Sequence, residues 1–560
     1  MPQSNKTIVD KKLQELNSEA EEREARRHAL KAGFPYLDIK TAPMNIEALA
    51  LISEEEALEA KAAAIEIKSQ GKEVAVVCLD PHLPALQAAV QKLKAKSYTA
   101  SLFVVSLSSL KHIWDFYKFV PKGSMGITGS VNIEEKKIIE LQHTLVSLPS
   151  IKEALEAVNT IKSDTSELLE IILAGALANR ASDIHLEPEE EHIKLRLRID
   201  GSLYDVFTAL EKGVYLYLLS RIKLLSGLKL NVHTEPQDGR YAIKFSHKEI
   251  EVRVAVAPAE YGEVVVMRLL DPETIGLTLQ ELGLRADDLE IVEQELKKPN
   301  GMILNTGPTG SGKTTTLYAF LKHKKSSEIK IITIEDPIEY QLEGIEQTQV
   351  DEEGGYTFAN GLKSLMRQDP DVILVGEIRD KETAEIGIQS ALTGHLVFST
   401  VHANEAAGAI PRLLDLDVRP SSIGPAINLI IGQRLVRRLC EKCKGKDTPS
   451  DELKKKIKKV LERLPERVDK GEFKALEIYK AAGCDVCNHL GYKGRIAIYE
   501  FLPIGPELEE MITKESNEAS IQKFAVRNSM VTMQEDGILK TIAGVTTLEE
   551  VEDVTGPISW

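Results

Sequence analysis

The chain has 560 residues, 43% of them hydrophobic and 28% charged, with a formal charge of −16. That length sets an expectation of three or four domains of about 150 residues each, and the composition excludes an extended disordered chain. The acidic balance argues against a protein whose main work is gripping bulk nucleic acid. No apolar run approaches the roughly 18 residues of a membrane span, and residues 1–16 lack the apolar segment of a secretory signal, so the chain is expected in the cytoplasm.

In chain order, residues 1–30 are rich in Glu, Lys and Arg and read as a charged helical tail. Residues 31–155 read as a small N-terminal α/β domain. In it 52–69 is predicted helical, 74–79 a buried strand after the Gly71 breaker, 84–96 a helix and 101–106 a strand. No catalytic motif falls there, and Cys78 reads as a buried small hydrophobe. An α+β domain is expected over 160–275. It opens with a helix, 163–179, apolar at Leu169, Ile172, Leu173, Ala176 and Leu177. In 193–199, Ile193, Leu195, Leu197 and Ile199 alternate with Lys194, Arg196 and Arg198, a strand with one apolar and one basic face. Asp200-Gly201 is a hairpin turn signal. A second Asp-Gly, 238–239, precedes Arg240, and 250–256 and 264–270 complete an antiparallel sheet.

From Leu284 to Leu439 the order becomes strand, glycine loop, helix, strand, the signature of a parallel sheet. Gly307, Pro308, Thr309, Gly310, Ser311, Gly312, Lys313 and Thr314 fit G-x-x-x-x-G-K-[ST], between the apolar strand 302–304 and the helix 315–322 that begins at Thr315. Glycines let backbone N–H groups converge on phosphate oxygens, and the helix N-terminus adds its positive end. Lys313 is placed to reach the β- and γ-phosphates of ATP, and the Thr314 hydroxyl to complete a Mg²⁺ shell. Strand 331–334 ends in Glu335-Asp336-Pro337-Ile338-Glu339, and 371–375 ends in Gly376-Glu377, a Walker B type of strand with Gly376 where an Asp is usual. Carboxylates at the carboxyl ends of parallel strands sit over the ligand crevice. A third strand, 396–399, is flanked by His395 and His402, which read as bracketing the strand end beside Glu377, there to sense the γ-phosphate or to couple it to a neighbouring domain.

Residues 440–500 carry Cys440, Cys443, Cys484 and Cys487 as two C-x-x-C knuckles 40 residues apart. Two such pairs make a Cys₄ tetrahedral Zn²⁺ site. A pair of redox dithiols is the alternative. The stretch between them must fold out as its own element, with Leu453, Ile457, Val460, Leu461 and Leu464 on one face of a lysine-rich helix. Residues 501–560 read as a helical C-terminal region.

Several of these stretches together resemble the secretion and type IV pilus ATPase family, in its type II secretion and pilus-assembly branch. The carrying residues are 181–188 (ASDIHLEP), 307–314, 333–339 (TIEDPIE), 374–380 (LVGEIRD), 393–402 (TGHLVFSTVH), 536–540 (DGILK) and 544–550 (GVTTLEE). The resemblance covers about 160–555. It implies a homohexameric ring in which a PAS-like half packs against a RecA-like half over 284–439. It implies Glu339 as general base, Glu377 in the Walker B role and His395 and His402 in a His box. Arginines reaching the γ-phosphate map to Arg253 and Arg268; Arg240 is read as a solvated strand face. The activity implied is ATP hydrolysis that powers a pilus or pseudopilus filament. The implied partners are an inner-membrane platform protein and associated cytoplasmic assembly proteins, at the inner face of the cytoplasmic membrane, with no direct nucleic acid. A DNA-uptake or conjugation motor on the same core and a non-catalytic scaffold are the competing readings. The arginine-leucine-glycine pattern of cyclic-dinucleotide modules is not found, so no such ligand is expected.

Overall fold

The computed structural model describes residues 20–39, 46–67, 73–96, 98–119, 130–131, 135–159, 165–246, 248–272, 276–473, 476–514 and 517–560. The chain divides into two units, Met1–Asp271 and Pro272–Trp560. Of the expected charged tail, residues 20–30 fall within a helix that continues to residue 32, and residues 1–19 lie outside the described residues.

The first unit opens with a three-stranded sheet in the order β1-β2-β3: β1 (Ala62–Ile67), β2 (Glu73–Cys78) and β3 (Thr99–Val104). The expected helix over 52–69 is only partly present. A Ser53 capping box starts a helix at Glu54–Ala60, and Lys61 ends it in the left-handed region. Ala62, Ala63 and Ala64, all strong helix formers, are instead fully buried in β1 and paired with β2. Pairing and burial override local propensity here. Helix Pro84–Ala95 crosses over so that β3 runs parallel to β2. Cys78 is buried, and that burial pushes its thiol up to about 12, as suits a packing residue.

A second sheet of the same unit has seven strands: β4 (Ser130–Val131), β5 (Ala181–Pro188), β6 (His192–Ile199), β7 (Ser202–Glu211), β8 (Gln237–Lys244), β9 (Glu249–Ala259) and β10 (Gly262–Leu270). Their order is β4-β8-β9-β10-β5-β6-β7. All neighbours are antiparallel except β4 and β8. Asp200 and Gly201, both at positive φ, make the β6–β7 turn. The second Asp-Gly, 238–239, opens β8 rather than turning. One face of the sheet buries its period-two aliphatics against helices Leu148–Val158, Thr165–Ala178 and Lys212–Leu225.

The opposite face is charged. Register aligns Arg240 with Arg253, Arg253 with Arg268, Arg268 with Asp183 and Asp183 with Arg198. Register partners share a sheet face, so four arginines and one carboxylate form a single row across five strands. Asp183 is buried and accepts from Arg268 Nε at 2.8 Å, with Arg198 Nε at 3.4 Å. Arg253 Nε pairs with Glu251 at 3.1 Å, and Arg240 Nη1 lies 3.8 Å from the same carboxylate.

The second unit is built on β11 (Gly301–Thr306), β12 (Ile331–Glu335), β13 (Glu346–Gln349), β14 (Val372–Val375), β15 (Leu396–Val401) and β16 (Ile427–Leu439), all parallel. A short hairpin of β17 (Gly445–Asp447) and β18 (Ile478–Lys480) lies outside this sheet, and β19 (Tyr492–Pro503) returns to it antiparallel to β16. The order is β13-β12-β14-β15-β11-β16-β19. Apolar clusters cover both faces, which is why these strands read as unbroken aliphatic runs. β16 and β19 continue as a two-stranded ribbon, paired from Leu429 with Pro503 to Leu439 with Tyr492. The cysteine-bearing excursion is therefore 440–491, shorter than the expected 440–500, because 492–500 belongs to the central sheet. Helix Asp451–Arg463 buries Ile457 and Val460 in a cluster shared with Met533–Ile542 and Leu548–Thr555. Among the described residues no helix is long and apolar enough to cross a membrane.

Candidate active site

Parallel strands send all their following loops to one end of the sheet. The turn 307–312 follows β11, the acidic segment 336–345 follows β12, Gly376 and Glu377 follow β14, and His402 to Glu405 follow β15. Gly307, at φ 150°, is packed so closely that a Cβ would sit 2.5 Å from the Gln433 carbonyl oxygen of β16 and from Ser311 Oγ. Lys313 opens the helix Lys313–Lys324, and its Nζ donates to the carbonyls of Gly307 (2.7 Å) and Pro308 (3.0 Å). Burial pulls this ammonium below the ordinary lysine value; the Glu377 carboxylate opposes that, and the Arg434 guanidinium adds to it. Glu377 and Arg434 thus both lie within electrostatic reach of Lys313. Thr314 and Thr315 follow in the first turn, half-buried.

Glu377 is fixed by its neighbours. Its side chain is mostly buried and pairs with Arg379 Nη2 at 2.5 Å and His402 Nε2 at 3.3 Å. The end of β14 is tied to β15 by Thr400 Oγ1, which donates to the Gly376 carbonyl at 2.8 Å, and by the Ile378 N–H to the Thr400 carbonyl at 2.9 Å. The glycine at 376 has a packing reason. A Cβ there would lie 3.3 Å from both Glu335 Cα and the Ile334 carbonyl oxygen, so the usual Asp would press on the β12 backbone.

Of the two expected histidines, only His402 meets Glu377. His395 precedes the six residues of β15 and stands beside Gly301, its Nδ1 3.1 Å from the Ser390 carbonyl oxygen. A strand rises about 3.3 Å per residue, so His395 lies about 20 Å away at the amino end of the strands. The expectation that both bracket one strand end is corrected: they bracket the whole strand. Glu339 is half-buried, beyond the cis Asp336–Pro337 peptide. Arg253 and Arg268 belong to the charged row of the other unit, with Arg240 beside them in the same row. Sequence reasoning assigned no role to Asp183, Arg379 or Arg434. The first two stand inside quoted motifs, whereas Arg434 sits mid-strand with no local signal.

The four cysteines converge as expected. Their Sγ atoms all lie within 4.8 Å of one another, with Cys440–Cys484 at 3.9 Å, Cys443–Cys487 at 3.8 Å and Cys484–Cys487 at 3.8 Å. Four sulfurs about 2.3 Å from a tetrahedral Zn²⁺ would be about 3.8 Å apart, so this donor set fits zinc. Burial works against ionising Cys487, yet the N–H groups of Cys484 (3.2 Å) and Gly491 (3.3 Å) bring its thiol down to about 7.

A phosphate loop after β11, with an imidazole after the adjacent β15 and a carboxylate after β14 beyond it, defines a P-loop ATPase core. The family model for "Type II/IV secretion system protein" matches residues 160–553, and the chain belongs to that family. It is 42% identical over 408 residues to a type II secretion system ATPase E of Vibrio cholerae, covering 73% of this chain and 78% of that one. It is 42% identical over 392 residues to the type IV pilus assembly ATPase PilB of Myxococcus xanthus, covering 70% and 68%. Among solved structures, the Yersinia pseudotuberculosis ATPase DotB shares the fold at 20% identity, with a TM-score of 0.52 over 71% of this chain and 95% of that one.

Proposed function

We propose that this chain is an ATPase that powers assembly of a type IV pilus or of a type II secretion pseudopilus. The observation that carries the reading is the convergence of the phosphate loop, Glu377 and His402 at one sheet end. It occurs in a chain 42% identical to ATPases of both machines. In this reading the backbone N–H groups of 307–312 and the start of the 313–324 helix hold the phosphates of Mg–ATP. Lys313 neutralises charge on the β- and γ-phosphates, and Thr314 Oγ1 joins the Mg²⁺ shell. Glu339 takes the proton of the attacking water. Glu377, steadied by Arg379, orients metal-bound water, and His402 reports the state of the γ-phosphate to the loop after β15. His402 alone serves in that role, since His395 lies at the far end of its strand.

Arg253 and Arg268 supply positive charge to the γ-phosphate from the seven-stranded domain, proposed as the PAS-like half, and so couple hydrolysis to domain closure. Cys440, Cys443, Cys484 and Cys487 hold one Zn²⁺. Such a closed set of thiolates leaves no ligand position for chemistry and stabilises the fold around it. The assembly proposed is a homohexamer at the inner face of the cytoplasmic membrane, pushing on a membrane-embedded platform protein with its cytoplasmic assembly partners. The direct test is Lys313→Ala in the purified full chain. Mg²⁺-dependent phosphate release should vanish, and cells carrying the variant should lose the filament or the secreted product. Turnover close to wild type would sink the assignment.

A further inference from the structure

The acidic segment and the phosphate loop leave the sheet at separate places. The order β12-β14-β15-β11 puts three strand spacings between their parent strands, about 14 Å at the usual 4.8 Å per strand. The sheet fixes the strand ends from which they leave, but the position of a loop residue beyond them depends on what grips it. Tyr318 supplies such a grip. It stands on the phosphate-loop helix five residues after Lys313 and is fully buried. Its hydroxyl donates to Glu335 Oε2 at the end of β12 and takes a backbone hydrogen bond from Glu339.

A second side chain completes the hold. Gln347, on β13, donates from Nε2 to the Tyr340 carbonyl at 3.1 Å and to Glu335 Oε1 at 3.2 Å. Its Oε1 accepts the Leu342 N–H at 2.6 Å. The Tyr340 ring meets the Tyr318 ring edge-on, with centroids 4.6 Å apart. Two side chains thus grip the backbone of 339–342 at three points. The remaining lone pairs of the buried Glu335 carboxylate are met by Thr333 Oγ1 at 2.5 Å. A core tyrosine that merely filled space would need no hydroxyl; its neighbours Leu317, Phe320 and Leu321 on the same helix have none. Burying a hydroxyl costs free energy unless it is bonded; here it bonds Glu335 at the end of β12 and the Glu339 backbone, and accepts from Gln347 Nε2 at 3.4 Å.

We infer that Tyr318 and Gln347 are positioning residues for hydrolysis: with Glu335 they clamp the 339–342 backbone to the phosphate-loop helix and set where the Glu339 carboxylate meets the attacking water. The inference rests on Glu339 being the base. Neither residue touches substrate, so their loss should slow the chemical step and spare binding. Misplacing a catalytic group by about 1 Å can cost on the order of 10²-fold.

The test compares Tyr318→Phe and Gln347→Ala with the wild-type full chain on Mg–ATP. Each should lose about 10- to 100-fold in kcat, with KM and nucleotide affinity within about twofold and an unfolding midpoint close to wild type. Gln347 is only half-buried, so its variant carries the test if Tyr318→Phe folds poorly. Adding either change to Glu339→Gln should slow turnover by less than about twofold further, because no base is left to misplace. A normal kcat in both single variants, or a full further loss on top of Glu339→Gln, overturns the positioning role. Wild-type turnover by Glu339→Gln itself overturns the base assignment, and the clamp with it.

Discussion

Glu339 and Glu377 leave neighbouring strands but meet different surroundings. Glu377 is gripped by Arg379 and His402 and feels Lys313, whereas the backbone of Glu339 is bonded to the Tyr318 hydroxyl. In the proposed mechanism Glu339 is the base and Glu377 the carboxylate that orients water. Glu339→Gln and Glu377→Gln should therefore both bind ATP at near wild-type affinity and hydrolyse it on the order of 10²-fold more slowly. Nucleotide titration and phosphate-release rates read this, and either variant at full turnover would remove its residue from the chemistry. The phosphate loop and the carboxylates were legible because backbone approach to a phosphate demands glycines in a short fixed pattern. Gln347 and Tyr318 were not. Their partners lie 12 and 17 residues away, on strand and helix, and meet only through the register of β12 with β13 and the crossing of a helix.

Among the elements, the clearest gap between sequence and structure is β1. Residues 62–64 read as helix because alanine is the best helix former, yet they fill a buried strand beside β2, and only the left-handed Lys61 marks the break. The cysteine excursion shows the same kind of limit. Its ligands were legible from spacing, but its far edge was not, because β19 pairs with a strand more than 50 residues earlier in the chain. The excursion has a modest core of its own, Ile457, Val460, Leu464 and Val468 packed on the C-terminal helices. A structural metal's binding energy is local folding energy. Removing Zn²⁺ with a chelator should raise amide hydrogen exchange across 440–491 well before it does so in the 313–324 helix, and freshly purified chain should contain about one zinc. Well under one equivalent, with the thiols reduced, would exclude the site.

At the scale of the whole molecule, the proposed role of Arg253 and Arg268 at the γ-phosphate can be tested. Arg253 and Arg268 are register partners, so a γ-phosphate that attracts one lies near the other, and the buried Asp183 fixes the Arg268 guanidinium on one side. Arg253→Ala and Arg268→Ala should each lower turnover, and each should blunt any ATP-driven compaction seen by solution scattering. Normal hydrolysis with normal compaction in both variants would show that the γ-phosphate is sensed elsewhere. The β16–β19 ribbon has a mechanical consequence of its own. At Gln433 it braces the phosphate loop, and at its far tip it carries Cys440. Those points are seven residues apart, about 23 Å along a strand. Paired strands resist bending, so the ribbon acts as a beam: a tilt of about 10° at the nucleotide end would swing the cysteine cluster by about 4 Å over that length. In the proposed zinc-bound form the four thiolates would stiffen the far end of that beam, well away from the phosphates.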